Sequence, residues 1–149
     1  MKKIVICVGT VYGAALETAE AVQKALNDKE YEARVAQNPT LEDITEADSA
    51  ALICTSTTGS GDLPDNIAPL YTALTTQFPN IVGKPFGLIT LGDSSYFDSY
   101  CGAGEQMEHA MTELAAVKVG EELKIDAMET TDPAEEAVAW ALEWAQQLP

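Results

Sequence analysis

Short runs of apolar, β-branched residues alternate with longer amphipathic stretches along the 149-residue chain. Nearly continuous apolar runs predict buried strands at residues 3–8, 49–56 and 85–91, because a strand covered on both faces needs apolar side chains on both. Residues 31–36 alternate in polarity and predict a further strand. Residues 122–126 predict a shorter and more polar strand near an edge.

Apolar positions at helical spacing predict the helices that connect these strands. They are expected at residues 14–27, 69–76, 104–117 and from Pro133 to about residue 147. The last helix opens with an N-cap residue, a proline and a glutamate, Asp132-Pro133-Ala134-Glu135. Residues 41–48 could supply a further turn or short helix. The alternation predicts one domain, residues 1–149, with a doubly wound, five-stranded parallel sheet of order 2-1-3-4-5 in an α/β/α sandwich.

The composition limits which classes of partner and which cellular compartment we expect for the protein. The net charge of −16 disfavours nucleic acids and anionic membranes, and favours basic faces of partner proteins. Three widely spaced cysteines without a CxxC motif are expected to be free thiols, with Cys7 and Cys54 in buried strands. We therefore expect a cytoplasmic monomer, with no metal site and no membrane-spanning segment.

Three loops rich in glycine and hydroxyl groups directly follow the strongest predicted strands. They are residues 9–15 (GTVYGAA), 56–66 (STTGSGDLPDN) and 92–104 (GDSSYFDSYCGAG). In a sheet of order 2-1-3-4-5 the preceding strands are neighbours. The loops should therefore converge at the carboxyl edge, where open α/β sheets bind ligands. None of the three loops contains lysine or arginine.

The first loop leads into a helix, whose exposed N-terminal amides favour an anion. It matches neither the P-loop nor the GxGxxG pattern. Neutral amides with the hydroxyls of Thr10 and Tyr12 suit a single monophosphate, although an ordinary strand-to-helix turn is equally compatible. In the third loop, Tyr96 could present its flat face to a flat ligand, whereas Phe97 and Tyr100 more often would pack onto the sheet.

These residues resemble the flavodoxin family, and within it the small proteins of the MioC and YqcA type, over the whole chain. The resemblance lies in G-T-x-Y-G at 9–13, S-T-T-G-x-G-D-x-P-D-N at 56–66, and G-D-S-S-Y at 92–96 with Cys101-Gly102-Ala103 after it. It implies non-covalently bound FMN and a low-potential one-electron carrier between a reductase and an acceptor enzyme. A carrier of this kind is not itself an enzyme.

The resemblance also implies which residues hold FMN. Residues 10–15 would cradle the phosphate, and residues 56–61 and 91–102 would line the two sides of the isoalloxazine ring, with Tyr96 stacked on it. The cofactor-binding residues predicted in this way are Thr10, Val11, Tyr12, Gly13, Ala14, Ala15, Ser56, Thr57, Thr58, Gly59, Ser60, Gly61, Leu91, Gly92, Asp93, Tyr96, Tyr100, Cys101 and Gly102.

Some positions depart from the family pattern. Ala14 and Ala15 stand where phosphate loops of the family commonly carry polar residues, and Thr58 where many members have an aromatic residue. These departures leave open a flavodoxin-like interaction protein with weak or lost FMN binding. A flavin-dependent NAD(P)H:quinone reductase on the same fold is a further alternative. A receiver domain fits less well, because the first strand ends in Gly9-Thr10 and not in an acidic pair.

Overall fold

A parallel sheet forms the centre of the molecule. A computed structural model describes residues 2–58, 61–92, 101–126, 129 and 132–149. The strands are β1 (Lys3–Gly9), β2 (Glu32–Ala36), β3 (Ser49–Ser56), β4 (Pro85–Gly92), β5 (Val117–Lys118) and β6 (Leu123–Asp126). Their order is β2-β1-β3-β4-β5, with β6 also paired to β4, and all pairings are parallel. The predicted fold class and strand order are confirmed.

Helices cover both faces of this sheet. They are α1 (Ala14–Asp28), α2 (Leu41–Thr45), α3 (Ala68–Gln77), α4 (Gly102–Glu113) and α5 (Pro133–Gln146). One core lies between the sheet and α1 and α5, and includes Ile6 and Trp144. The other lies beneath α3 and α4, and includes Ile53 and Met107. Successive strand residues alternate between the two cores, which explains the nearly continuous apolar runs in the sequence.

Two separate strands occupy the fifth position of the sheet. Val117 of β5 pairs with Pro85, and Leu123 of β6 pairs with Ile89, so both strands lie beside β4. Between them the chain turns at Gly120, whose φ of +68° lies in the left-handed region. The predicted strand at 122–126 is thus confirmed as β6, and β5 is an additional element.

The predicted helix at 104–117 is wrong at its C-terminal end, because α4 ends at Glu113. Ala115 adopts a left-handed conformation with φ of +64°, which breaks the helix. The amide of Ala116 donates to the carbonyl oxygen of Met111 (3.2 Å), and Val117 has already entered β5. No glycine or proline marks this helix end, so the apolar periodicity extended the prediction too far.

Side-chain caps explain where two helices begin. The short helix expected at 41–48 is α2, and its capping box joins Thr40 and Asp43. At the start of α5 the Asp132 side chain accepts a hydrogen bond from the Glu135 amide (3.1 Å), as the sequence predicted. Within the described segments, no helix combines the length and apolar character needed to cross a bilayer.

We expect Asp132→Ala to lower the free energy of unfolding by about 1 kcal/mol, the usual value of an N-cap. Urea unfolding followed by circular dichroism measures this loss. The control is Asp28→Ala, which removes a mostly exposed ion pair with Lys24 at the C-terminal end of a different helix, α1. This change should alter the free energy of unfolding by less than about 0.5 kcal/mol. Equal losses in the two variants would contradict a specific cap at Asp132.

Candidate functional site

The ends of β1, β3 and β4 lie side by side at the carboxyl edge of the sheet. Ser56 Oγ donates to the carbonyl oxygen of Gly9 (3.4 Å), which ties the end of β3 to the end of β1. The amide of Thr57 donates to the carbonyl oxygen of Leu91 (3.0 Å), which ties the second loop to β4. The three loops singled out in the sequence therefore leave the sheet from adjacent positions.

The first loop ends at an uncapped helix N-terminus. Gly13 is the N-cap of α1, with φ of +96°, and no described side chain caps this helix. Amides in the first turn of an α-helix have no acceptor within the helix, so the amide of the exposed Ala14 is available to a ligand. Thr10 Oγ1 accepts from the Gly13 amide (2.9 Å), which leaves the threonine hydroxyl proton free to donate. This donor set fits a phosphate group.

Backbone hydrogen bonds join described residues of the second loop to one another. The amide of Gly61 donates to the carbonyl oxygen of Thr58 (2.9 Å), and the Thr58 amide donates to the carbonyl oxygen of Asp62 (3.1 Å). Thr57 Oγ1 is buried and has no hydrogen-bond partner among the described residues. A buried hydroxyl without a partner is costly. It is therefore a further indication that a polar ligand belongs at this edge.

The start of α4 holds the second loop in place. Gln106 Nε2 donates to the carbonyl oxygen of Gly61 (2.9 Å). A Cβ atom at Gly102 would lie only 2.9 Å from that same oxygen, so the close approach of the two loops requires glycine. Cys101, the N-cap of α4, has φ of +57°. Its buried Sγ donates to the carbonyl oxygen of Thr90 (3.8 Å).

Predicted site residues in the described segments all lie at this carboxyl edge. They are Thr10, Val11, Tyr12, Gly13, Ala14, Ala15, Ser56, Thr57, Thr58, Gly61, Leu91, Gly92, Cys101 and Gly102. Tyr12 is 98% exposed. The other five predicted residues lie outside the described segments: Gly59, Ser60, Asp93, Tyr96 and Tyr100.

Asn66 and Gln106 join these loops but were not predicted. Asn66 stands within the quoted motif at 56–66, where its side-chain partners could not be deduced. Its Oδ1 accepts from the amide of Thr10 (2.8 Å). Gln106 carries no sequence signal, since it is one of several polar residues on an amphipathic helix.

Cys7 and Cys54 are buried structural thiols at neutral pH. Burial raises the pKa of the Cys7 thiol and of the Cys54 thiol to about 12, so both stay protonated and unreactive. Cys54 Sγ donates to the carbonyl oxygen of Ala15 (3.6 Å), beneath the first turn of α1. The expectation of buried free thiols at both positions is confirmed.

Residues outside the three loops show structural roles. His109 is exposed on α4, and its Nε2 lies 3.6 Å from Oε1 of Glu113. Trp140 and Trp144 stack with ring centroids 5.8 Å apart, and both pack in the core on the α5 side. Among the described residues no group of three or more histidine, cysteine, aspartate or glutamate side chains could hold a metal ion.

Comparison with known proteins identifies the family. The sequence model named flavodoxin matches residues 6–140. The flavodoxin YqcA of Escherichia coli strain K12 is 39% identical over 149 residues, covering 99% of each chain. The protein MioC of the same strain is 33% identical over 148 residues, also covering 99% of each chain. A cysteine-to-alanine variant of a flavodoxin from Pseudomonas aeruginosa has 43% sequence identity and a TM-score of 0.91, covering 98% of each chain.

The chain belongs to the flavodoxin family, and resembles its YqcA and MioC members. Flavodoxins are electron-transfer flavoproteins and not enzymes, so the chain is a flavodoxin-like electron carrier. The resemblance stated from the three loops is confirmed.

Proposed function

We propose that the chain is a single domain that binds FMN at the carboxyl edge of the sheet and carries single electrons from a reductase to an acceptor enzyme. The main support is that the strand ends from which the three loops leave are joined side by side, next to the uncapped start of α1. When bound, FMN would supply the electron-accepting and electron-donating chemistry. The residues of the chain would bind it, orient it and set its electrostatic surroundings.

The phosphate would be held by neutral groups. The amide of the exposed Ala14 and the hydroxyl of Thr10 would be the donors, and the positive end of the α1 dipole would add to their attraction for the anion. The second loop and the start of α4 would border the ring, since Gly61 and Gly102 approach each other closely there. We propose that Gly59, Ser60, Asp93, Tyr96 and Tyr100 complete the site, as the family resemblance implies.

The charge around the site would favour a low reduction potential. The three loops contain no lysine or arginine, and Asp62 and Asp65 are exposed on the second loop. An electron that adds negative charge to the cofactor is disfavoured by neighbouring carboxylates. Each 1.36 kcal/mol of such repulsion lowers a one-electron potential by about 59 mV.

Titration of the cofactor-free protein with FMN, followed by stepwise potentiometric reduction, tests this function. We expect binding that quenches flavin fluorescence, and two separate one-electron steps. Binding with a single two-electron step, or oxidation of NADPH without a partner, would favour the quinone reductase. FMN that stays free at about 50 µM protein would exclude the carrier and favour an interaction protein.

We also propose that basic faces of the reductase and of the acceptor dock at the site, in the cytoplasm and on a monomer. The net charge of −16 supplies the attraction. Val11 and Tyr12 are exposed just before the start of α1, and would offer an apolar contact within the proposed docking face. Amphipathic aromatic side chains of this kind are common in interfaces.

Raising the ionic strength should slow the reduction of the FMN-loaded chain by a basic-faced flavodoxin reductase. Salt screens the attraction between the two proteins, so the second-order rate constant should fall tenfold or more between about 10 and 150 mM salt. Stopped-flow absorbance measures this rate. Reduction by an uncharged photochemical donor in the same buffers is the control. A salt-independent reaction with the reductase would contradict electrostatic docking.

A further inference from the structure

The half-buried carboxamide of Asn66 joins three segments that are distant in the sequence. Its Oδ1 accepts from the amide of Thr10 (2.8 Å). Its Nδ2 donates to the carbonyl oxygens of Val8 (2.7 Å) and Gln37 (2.6 Å). One side chain thus holds the end of β1, the first residue of the loop after it, and the residue that follows β2.

The chemistry of these contacts requires a carboxamide. The oxygen faces an N–H group and the nitrogen faces two carbonyl oxygens, so each polar atom meets a complementary partner. An aspartate would instead place an anionic oxygen against two carbonyl oxygens. An aliphatic residue would leave the Thr10 amide and two carbonyl groups without this partner, each at a cost.

Two hydrogen bonds that share Thr10 connect Asn66 to the N-terminus of α1. Asn66 holds the backbone amide of Thr10. The Oγ1 atom of Thr10 in turn accepts a hydrogen bond from the amide of Gly13 (2.9 Å). Gly13 is the N-cap of α1, where the chain adopts φ of +96°. The direction of the free amides in the first turn of α1 therefore depends on where Thr10 is fixed.

We propose that Asn66 is a positioning residue for the FMN phosphate, and that it acts through Thr10 and Gly13. The inference rests on the proposed function, because it assumes that the phosphate lies at the start of α1. Asn66 fixes the conformation of the first loop (residues 9–15) before FMN binds. The loop then loses less conformational freedom when it binds the anion.

Comparing the affinities for FMN and riboflavin tests the proposal, because riboflavin has the same ring and no phosphate. In Asn66→Ala we expect the affinity for FMN to fall roughly tenfold, as for one or two misplaced hydrogen bonds. The affinity for riboflavin should change by less than about twofold. Fluorescence quenching measures both constants, and thermal unfolding shows that the variants are folded at the temperature used.

Asn27 offers a matched control at the opposite end of α1. Its carboxamide also clamps a turn, since Oδ1 accepts from the Ala33 amide (2.9 Å) and Nδ2 donates to the Ala33 carbonyl oxygen (3.2 Å). Asn27→Ala should therefore lower stability without changing the ratio of the two affinities. If Asn66→Ala does not fold, Asn66→Gln keeps the carboxamide on a longer arm, and should lower the ratio by a smaller factor.

Each outcome separates the inference from the function on which it rests. A lower FMN-to-riboflavin ratio in the Asn66 variants alone would support the positioning role. An unchanged ratio, or equal losses for both flavins, would overturn it while FMN binding by the unsubstituted chain still stood. If the unsubstituted chain bound neither flavin, the proposed function and this inference would both be overturned.

Discussion

Ala14→Asp is expected to weaken FMN binding by about 100-fold while it slightly stabilises the fold. Ala14 is the exposed first residue of α1, where the proposed phosphate would lie. Two unit charges about 5 Å apart repel by about 3 kcal/mol at an effective dielectric constant of 20, which corresponds to a factor of about 100. In the absence of ligand, the same carboxylate interacts favourably with the helix dipole by about 0.3–1 kcal/mol.

Fluorescence titration and urea unfolding measure these two opposite effects on one protein. Riboflavin should bind the variant as well as it binds the unsubstituted chain, since it lacks the phosphate. The control is Ala134→Asp, which places the same charge in the first turn of α5, and should leave both flavin affinities unchanged. Unaltered FMN binding by Ala14→Asp would mean that the phosphate does not lie at the start of α1.

Trp144→Ala should cost about 3–5 kcal/mol of unfolding free energy, the usual loss for a fully buried tryptophan. The Trp144 side chain is 1% exposed. A Cβ atom at Gly87 would lie 2.4 Å from its Nε1, so the indole packs directly against the backbone of β4. Because domains are stable by only about 5–15 kcal/mol, this loss would be a large share of the total.

Urea unfolding followed by far-ultraviolet circular dichroism measures the loss without depending on tryptophan fluorescence. Trp140→Ala is the control, because Trp140 is only partly buried and should cost less. Trp144→Phe should be milder than Trp144→Ala, since Trp144 Nε1 has no hydrogen-bond partner among the described residues to lose. Equal losses in Trp140→Ala and Trp144→Ala would contradict the packing at Gly87.

The sequence was sufficient to predict five of the six described strands and their order, and the central ones most clearly, because burial on both faces leaves long apolar runs. The residues 49–56 predicted as a strand are those of β3. The left-handed turn at Ala115 could not be predicted, since an alanine there carries no turn signal. The separate strand β5 was also not predicted, because its pairing with Pro85 depends on a tertiary contact.

The carboxyl-edge site was predictable as three loops, since topology alone brings the ends of neighbouring parallel strands together. The contacts inside it were not. Asn66 bonds to residues 29, 56 and 58 positions away. Such partners are chosen by the packing of whole elements, and no local pattern encodes them. The motif at 56–66 predicted that this segment binds a ligand. It did not predict that the Asn66 side chain positions the neighbouring first loop.

The interrupted fifth position of the sheet bears on self-association. Unpaired strand edges attract other chains, and proteins limit this with short, twisted or charged edges. Here β5 has two residues and β6 four, separated by the turn at Gly120. At the opposite edge, β2 presents the exposed charges of Glu32 and Arg34. Neither described edge offers a long, flat template for pairing with a second copy, and this limits edge-to-edge association.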